Sequence, residues 1–240
     1  DAVSIVTPTV THYKLAKYFL DNKIHVLLEK PMTETVAQAK KLNAIAKKNK
    51  CVLQIGHLEQ FNPAIRKLRK SVCKPQFIEV HRLCQFNPRA NDVDVVLDLM
   101  IHDIDIVLSL VNKKIESIEV SGKKILTNLT DIANVRIKFK DNIVANLTAS
   151  RISTKNERKM RIFSNNSYYS IDFINNKLKK IHKDRRNSFK VTDFNFKKTD
   201  VLDDEINNFV NTCLGKEKSM TTGTSGLEAL VVAKKISKGF

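Results

Sequence analysis

An α/β layer on a parallel sheet, followed by an open, mainly antiparallel mixed β-sheet domain with helices on one face, is the fold class this sequence predicts. Three observations carry the prediction. The first 55 residues alternate continuously apolar runs with helix-patterned segments. Strands with no polar face must be covered on both sides, as in sheets built by right-handed β-α-β crossovers. From Ile115 to Phe196 the pattern becomes a series of alternating polar and apolar segments joined at turn residues, the mark of antiparallel strands with one wet face. The chain then closes on two helical segments set among glycines.

Taken in order, Ala2 to Val6 (AVSIV) is the first apolar run and is ended by Thr7-Pro8-Thr9. His12 to Leu20 has helical spacing, with Leu15, Ala16, Phe19 and Leu20 apolar. Ile24 to Leu28 is the second run. Glu34 to Lys48 is an amphipathic helix with Val36, Ala39, Leu42 and Ala46 inside and Thr33 as its cap, and Cys51 to Ile55 is the third run. Asn62-Pro63-Ala64 then opens a basic helix, Gln76 to Leu83 is a strand, and Val95 to Val111 is a helix. Seven strands follow (IESIEVSG, IANVRIKFK, NIVANLTAS, KMRIFS, SYYSIDF, KLKKIHK and FKVTDFNF), with turns at Lys140-Asp141-Asn142, Asn165-Asn166 and Asn175-Asn176. Leu202 to Leu214 and Gly226 to Ile236 are the closing helices, their ends marked by Gly215, Gly223 and Gly226.

The stretch Val95 to Val111 organises the rest. It is apolar nearly all the way round, so as a helix it is buried, yet it carries Asp98, His102 and Asp105 on one stripe. Buried ionisable groups cost several kcal/mol each unless they pair or line a wet cavity. One reading makes Asp98 a cap, His102 a satisfied core histidine and Asp105 the partner of a basic residue. The other makes the i, i+4 carboxylate and imidazole a catalytic base, the carboxylate fixing the ring tautomer.

In a parallel sheet, ligands sit beyond the carboxyl ends of the strands. The loops to examine are therefore Thr7-Pro8-Thr9, Glu29-Lys30-Pro31 and Gly56-His57-Leu58-Glu59. Glu29-Lys30-Pro31 places an acid and a base at the end of a buried strand, with a proline that permits a cis bond. It is either a plain turn before a helix or a device by which Lys30 lends positive charge to an oxygen. Thr7-Pro8-Thr9 with His12 either hydrogen-bonds a ribose or caps the next helix.

Composition narrows the function classes. Lys and Arg number 42 against 25 Asp and Glu, a net charge of +17. The surplus is spread along the chain, without the interleaved aromatics of a base reader, so an anionic small molecule is favoured over nucleic acid as the partner. Cysteines 51, 73, 84 and 213 are scattered, with no CxxC, and read as reduced thiols of a cytosolic protein holding no metal. Apolar runs fall well short of the roughly 20 residues that cross a bilayer, and no targeting signal is visible, so no membrane partner is expected. The glycines stand at 56, 122, 215, 223, 226 and 239, and no G-x-G-x-x-G or P-loop can be written with them. The first strand begins at once after Asp1, which reads as the back part of a longer protein.

The ordered set SIVTPTVTHY, VLLEKP, GHLEQFNPA, DLMIHD and TGTSGLEALVVAKKI resembles the Gfo/Idh/MocA oxidoreductases over essentially the whole chain. The resemblance implies that residues 1–60 are the distal part of an NAD(P)-binding Rossmann domain without its glycine-rich half. Residues 61–240 would be a substrate-binding and oligomerisation domain whose C-terminal helices pack back on the Rossmann part. GHLEQFNPA with ANLTASRISTKNERKMRIF resembles the branch that oxidises the C3 hydroxyl of UDP-N-acetylglucosamine.

By that resemblance Lys30 sits by the nicotinamide and the reacting hydroxyl, His102 is the acid/base and Asp98 orients it. Thr7, Pro8, Thr9, His12, Glu29, Lys30 and Pro31 border the cofactor, which is NAD or NADP. Glu59, Gln60, Asn62, His102 and Asp105 face the sugar, and Arg151, Lys155 and Arg158 are candidates for a sugar-nucleotide pyrophosphate. Met100 replaces the family's usual Gly, and Gln60 stands where Arg is common. The expected assembly is a homo-dimer or homo-tetramer formed through the uncovered face of the sheet. The alternatives of another class are a non-catalytic ligand-binding or assembly subunit on this fold and, less favoured, a basic nucleic-acid binder.

Overall fold

A computed structural model of the 240-residue chain describes residues 1–71, 74–87, 93–184, 188–197 and 199–240. It divides into two compact units, one of Asp1–Phe61 with Asp200–Lys234, the other of Asn62–Thr199 with Lys235–Phe240.

The first unit is built on three parallel strands, β1 (Ala2–Ile5), β2 (His25–Leu28) and β3 (Leu53–Ile55), adjacent in that order. The crossovers are α1 (Thr9–Asp21) and α2 (Val36–Asn49). Both β2 and β3 are almost wholly buried, which is why their sequences lack alternation. The cap of α2 is Thr35, not Thr33: its side chain accepts the Gln38 amide while the Gln38 side chain accepts the Thr35 amide, a reciprocal box that stabilises the start by about 1 kcal/mol. Thr33 is buried and donates to the Thr35 carbonyl instead.

The closing helices are α5 (Val201–Cys213) and α6 (Gly223–Ser237). Gly215 does end α5, in a left-handed conformation with φ 69°. Gly223 is the first residue of α6, as expected, whereas Gly226 lies inside the helix rather than at a boundary. A Cβ on Gly223 would collide with Asn43 Oδ1, and one on Gly226 would stand 2.5 Å from Ile55 Cγ1. They are glycines because the helix lies directly against α2 and β3. Thr222, just before Gly223, caps α6, its hydroxyl accepting the Ser225 amide.

The second unit is one eight-stranded mixed sheet. Its strands are β4 (Pro75–Leu83), β5 (Ile115–Lys123), β6 (Ile132–Phe139), β7 (Val144–Ser150), β8 (Glu157–Ser164), β9 (Ser167–Asp172), β10 (Lys177–Lys183) and β11 (Phe189–Asn195). The order is β11-β10-β9-β8-β4-β7-β6-β5, antiparallel throughout except where β4 runs parallel to β7. The tight turns at Asp141, Asn142, Asn166 and Asn176 take φ between 50° and 63°, which short polar side chains tolerate best. One face carries Ile78, Val80, Val135, Ile137, Leu147, Met160, Ile162 and Ile171, all buried. The other is polar and open, with basins of about 440 Å³ over β4 to β7 and about 500 Å³ over β9 to β11.

The helices of this unit are α3 (Pro63–Lys70), capped by Asn62, and α4 (Ile101–Val111). The expected single helix from Val95 is in fact a π turn, Val96–Met100, running into α4. Its cap is Asp94, not Asp98: Asp94 Oδ1 accepts the amides of Val96 and Leu97.

Asp131, fully buried at the start of β6, shows how this start is held. Its carboxylate accepts the amides of Ile125, Leu126 and Thr127 and the Thr127 hydroxyl, and lies 3.8 Å from Arg151 Nε. Burial pushes this carboxyl up, but the Thr127 hydroxyl and the three amides outweigh it and bring the pKa to about 2. A carboxyl depressed on folding stabilises above its ordinary value near 3.8 and loses that contribution as pH falls toward 2. About 2 kcal/mol of stability should disappear between those limits. Urea denaturation from pH 2 to 5 checks this, and an Asp131→Asn variant with the same acid limb would contradict it.

Candidate active site

In the first unit the three loops after the strands carry the candidate cofactor residues. Lys30-Pro31 is cis, and the Glu29 Oε2 atom accepts the Lys30 amide at 3.0 Å. Glu29 and Lys30 are half-buried, while Pro31 is buried. Gly56, after β3, makes room for Glu29: a Cβ there would stand 2.9 Å from Glu29 Cδ. Thr7 and Thr11 share a hydroxyl contact of 2.6 Å, and α1 begins after Pro8 without a side-chain cap, so the capping reading of Thr7-Pro8-Thr9 does not hold.

His12 is placed differently from the expectation. It is buried, with Nε2 2.7 Å from the Thr7 carbonyl and Nδ1 3.0 Å from the Pro31 carbonyl. The ring is occupied in tying the loop after β1 to the turn after β2, so it shapes the site rather than touching a ribose.

These loops lie where ligands of parallel α/β sheets sit. The glycine under Glu29 lets the β2 turn and the end of β3 approach closely; Thr7 and Lys30 stand on loops after β1 and β2, and Thr9 opens α1. No glycine-rich phosphate turn occurs in the 240 residues. Gln60 is buried and Glu59 half-buried in the 3-10 turn Leu58–Phe61. Asn62, which opens the second unit, uses its Oδ1 to accept the Ala64 amide. That acceptor serves the helix start rather than a sugar.

In the second unit His102 stands in the first turn of α4, half-buried, with Nδ1 shielded from solvent. Asp98 is half-buried four residues earlier, on the π turn. Such turns recur at functional sites because they displace side chains from regular helical positions. Asp105 does not share their exposure. It is buried, and its charge acts on the Arg69 guanidinium.

Arg151 is also reassigned. It is buried, donates from Nη2 to the Val93 carbonyl at 2.6 Å and faces Asp131, so it secures the approach to the π turn rather than meeting phosphate. Lys155 and Arg158 are exposed. Sequence reasoning missed three features. Arg82 on β4 and Asp103 on α4 form a buried fork of two 2.8 Å bonds. Cys84, just past β4, has its thiol pushed up by burial and then by Asp98, with Arg158, Arg151 and Arg82 acting the other way. Glu205 on α5 is a buried acid of the first unit. Cys51, Cys84 and Cys213 are free thiols, whereas Cys73 lies outside the described residues. Among the described residues no cluster of His, Cys, Asp and Glu could hold a metal ion, and no helix is long and apolar enough to cross a membrane.

A parallel α/β sheet with ligand loops at its carboxyl edge, joined in one chain to an open mixed sheet, defines a class of two-part oxidoreductases. Residues 1–57 match the oxidoreductase family with an NAD-binding Rossmann fold, and residues 76–169 match the GFO/IDH/MocA C-terminal domain. UDP-N-acetylglucosamine 3-dehydrogenase of Acidithiobacillus ferrooxidans is 35% identical over 98% of this chain and 77% of its own length. Its solved structure superposes with a TM-score of 0.94 over 100% of this chain and 78% of that one. The scyllo-inositol 2-dehydrogenase (NAD(+)) of Bacillus subtilis is 28% identical over 64% of the chain and 49% of its own length. The chain belongs to the Gfo/Idh/MocA family of NAD-binding oxidoreductases.

Proposed function

We propose that this protein is an NAD(P)-dependent dehydrogenase that transfers hydride between nicotinamide and a sugar-nucleotide hydroxyl carbon, C3 of a UDP-N-acetylhexosamine. The observation that carries this reading is the likeness to a UDP-N-acetylglucosamine 3-dehydrogenase over 98% of the chain. The nicotinamide, when bound, supplies the hydride acceptor. The chain's own residues do the rest. Lys30, at the cis turn after β2, holds positive charge against the reacting oxygen. His102 takes the hydroxyl proton, with Asp98 orienting the ring. Lys155 and Arg158 supply charge for a pyrophosphate. The excess of basic residues suits an anionic substrate of this kind.

Isotope transfer tests the reading. With UDP-N-acetylglucosamine deuterated at C3 and NAD(P), the full-length protein should place the deuterium on the reduced nicotinamide. Reduction with inositols but not with the UDP-sugar would overturn the substrate, and no reduction with either would overturn the reaction.

The protein works in the cytosol, on this reading, as a homo-dimer or homo-tetramer joined through the open face of the sheet. Supporting that assembly is the mix of both charge signs on that face, from Glu79, Glu119, Arg136 and Arg161, beside the aromatic set Phe77, Phe163 and Tyr168. Light scattering that gives the mass of a single copy would exclude it.

A further inference from the structure

The first unit holds a buried acid that the hydride chemistry does not use. Glu205, in the second turn of α5, is 1% exposed, and its Oε1 atom is buried without a hydrogen-bond partner. The helix around it is pinned to β3. Gln54 Nε2 donates to the Glu205 carbonyl at 3.3 Å, while Gln54 Oε1 accepts the Ser219 hydroxyl at 2.8 Å. Two residues after Gln54, Gly56 makes the space that the Glu29 carboxylate fills, and that carboxylate holds the Lys30 amide. Three elements thus bring two carboxyl groups within electrostatic range of each other.

We infer that Glu205 is a positioning residue for the Glu29-Lys30-Pro31 turn, its buried carboxyl governing how Glu29 holds the Lys30 amide. The inference rests on the reading that Lys30 serves the reaction. Two neighbouring carboxyl groups away from water do not both ionise. Glu29 is half-buried and has an amide donor, whereas Glu205 Oε1 is buried and meets no donor. The proton therefore resides on Glu205, where burial first and Glu29 second push the pKa up to about 8.

The other titratable groups nearby are Glu59 on the 3-10 turn packed against α5, His57 after β3, Glu217 and Lys218 beyond α5, and Asp203 and Asp204 on α5 itself. Among charged groups, Glu29 is the one that acts on Glu205. With Glu205 neutral, Glu29 keeps its place over Gly56. Once Glu205 ionises, the second negative charge drives Glu29 off, and the Lys30 amide loses its acceptor.

The test is an NMR titration of the protein carrying carboxyl-labelled glutamate and amide-labelled lysine, set against Glu205→Gln, which keeps the size and stays neutral. The wild type should show one carboxyl titrating near pH 8, absent from the variant, and a Lys30 amide resonance that moves with the same midpoint. In the variant the Lys30 resonance should stay still through that range. In kinetics, the wild type should lose kcat/KM on an alkaline limb with that midpoint, and Glu205→Gln should lack the limb. A Lys30 amide that ignores the Glu205 titration, or moves equally in the variant, overturns the inference. If the variant fails to fold, the wild-type midpoints alone still decide. An inactive protein whose Lys30 amide follows Glu205 would sink the hydride-transfer reading and leave the coupling standing.

Discussion

Replacing His102 by alanine is expected to lower kcat for UDP-N-acetylglucosamine oxidation by about 10²- to 10⁴-fold, the usual contribution of a positioned general base. The ring stands in the first turn of α4, immediately after the π turn that carries Asp98, and is half-buried. A base acts on the proton in flight more than on bound substrate, so KM should move far less than kcat. Asp98→Asn should give a smaller loss in the same parameter, because it removes the ring's orienting charge and keeps the ring. Steady-state kinetics on both variants decides the matter. A His102→Ala enzyme within tenfold of the wild type would remove His102 from the chemistry.

Asp103→Ala should give the largest change in stability, about 3–5 kcal/mol, because it strands a buried guanidinium. Arg82 and Asp103 are 3% and 2% exposed, and their two 2.8 Å bonds join the centre of the sheet to α4. Cross-strand from Arg82 stands Arg158, so an unpaired Arg82 would also face a like charge. Truncating both partners to apolar residues of similar volume, Arg82→Met with Asp103→Leu, should recover most of the loss, since the desolvation cost vanishes with the pair. Urea denaturation of the two single variants and the double variant measures the coupling. A single-variant loss under 1 kcal/mol would mean that water reaches the pair.

The antiparallel sheet was legible because its central strands have one dry face, so alternation and the Asn and Asp turns survive in the sequence. Strands β2 and β3 were legible for the opposite reason, being buried almost throughout. The interior polar pairs were not. Asp98 and Asp105 share a stripe on a helical wheel and Asp103 lies off it, but which of the three meets a cation depends on the π turn and on arginines 69 and 82, far away in sequence. Arg151 read as a phosphate ligand because nothing local shows that Asp131, across a strand pair, already claims it. Thr33 and Thr35 are equally good caps by type, and only the reciprocal bond with Gln38 selects the second. Glu205 carried no signal, since an acid in the early turns of a helix is ordinary. Its unusual setting comes first from burial and then from the turn after β2, some 175 residues earlier in the chain.

The place of β4 between β7 and β8 bears on how the molecule is made. β4 is translated first of the eight strands, yet both its neighbours lie beyond residue 143, some sixty residues downstream. At about 5–20 residues per second the nascent strand spends several seconds with both edges unsatisfied. During that interval Ile78 and Val80 have no sheet to enter, and an edge of that kind pairs readily with other chains. The middle of the sheet therefore closes only after β7 and β8 have emerged, and the yield of folded protein should depend more on helper proteins at the ribosome than its native stability suggests.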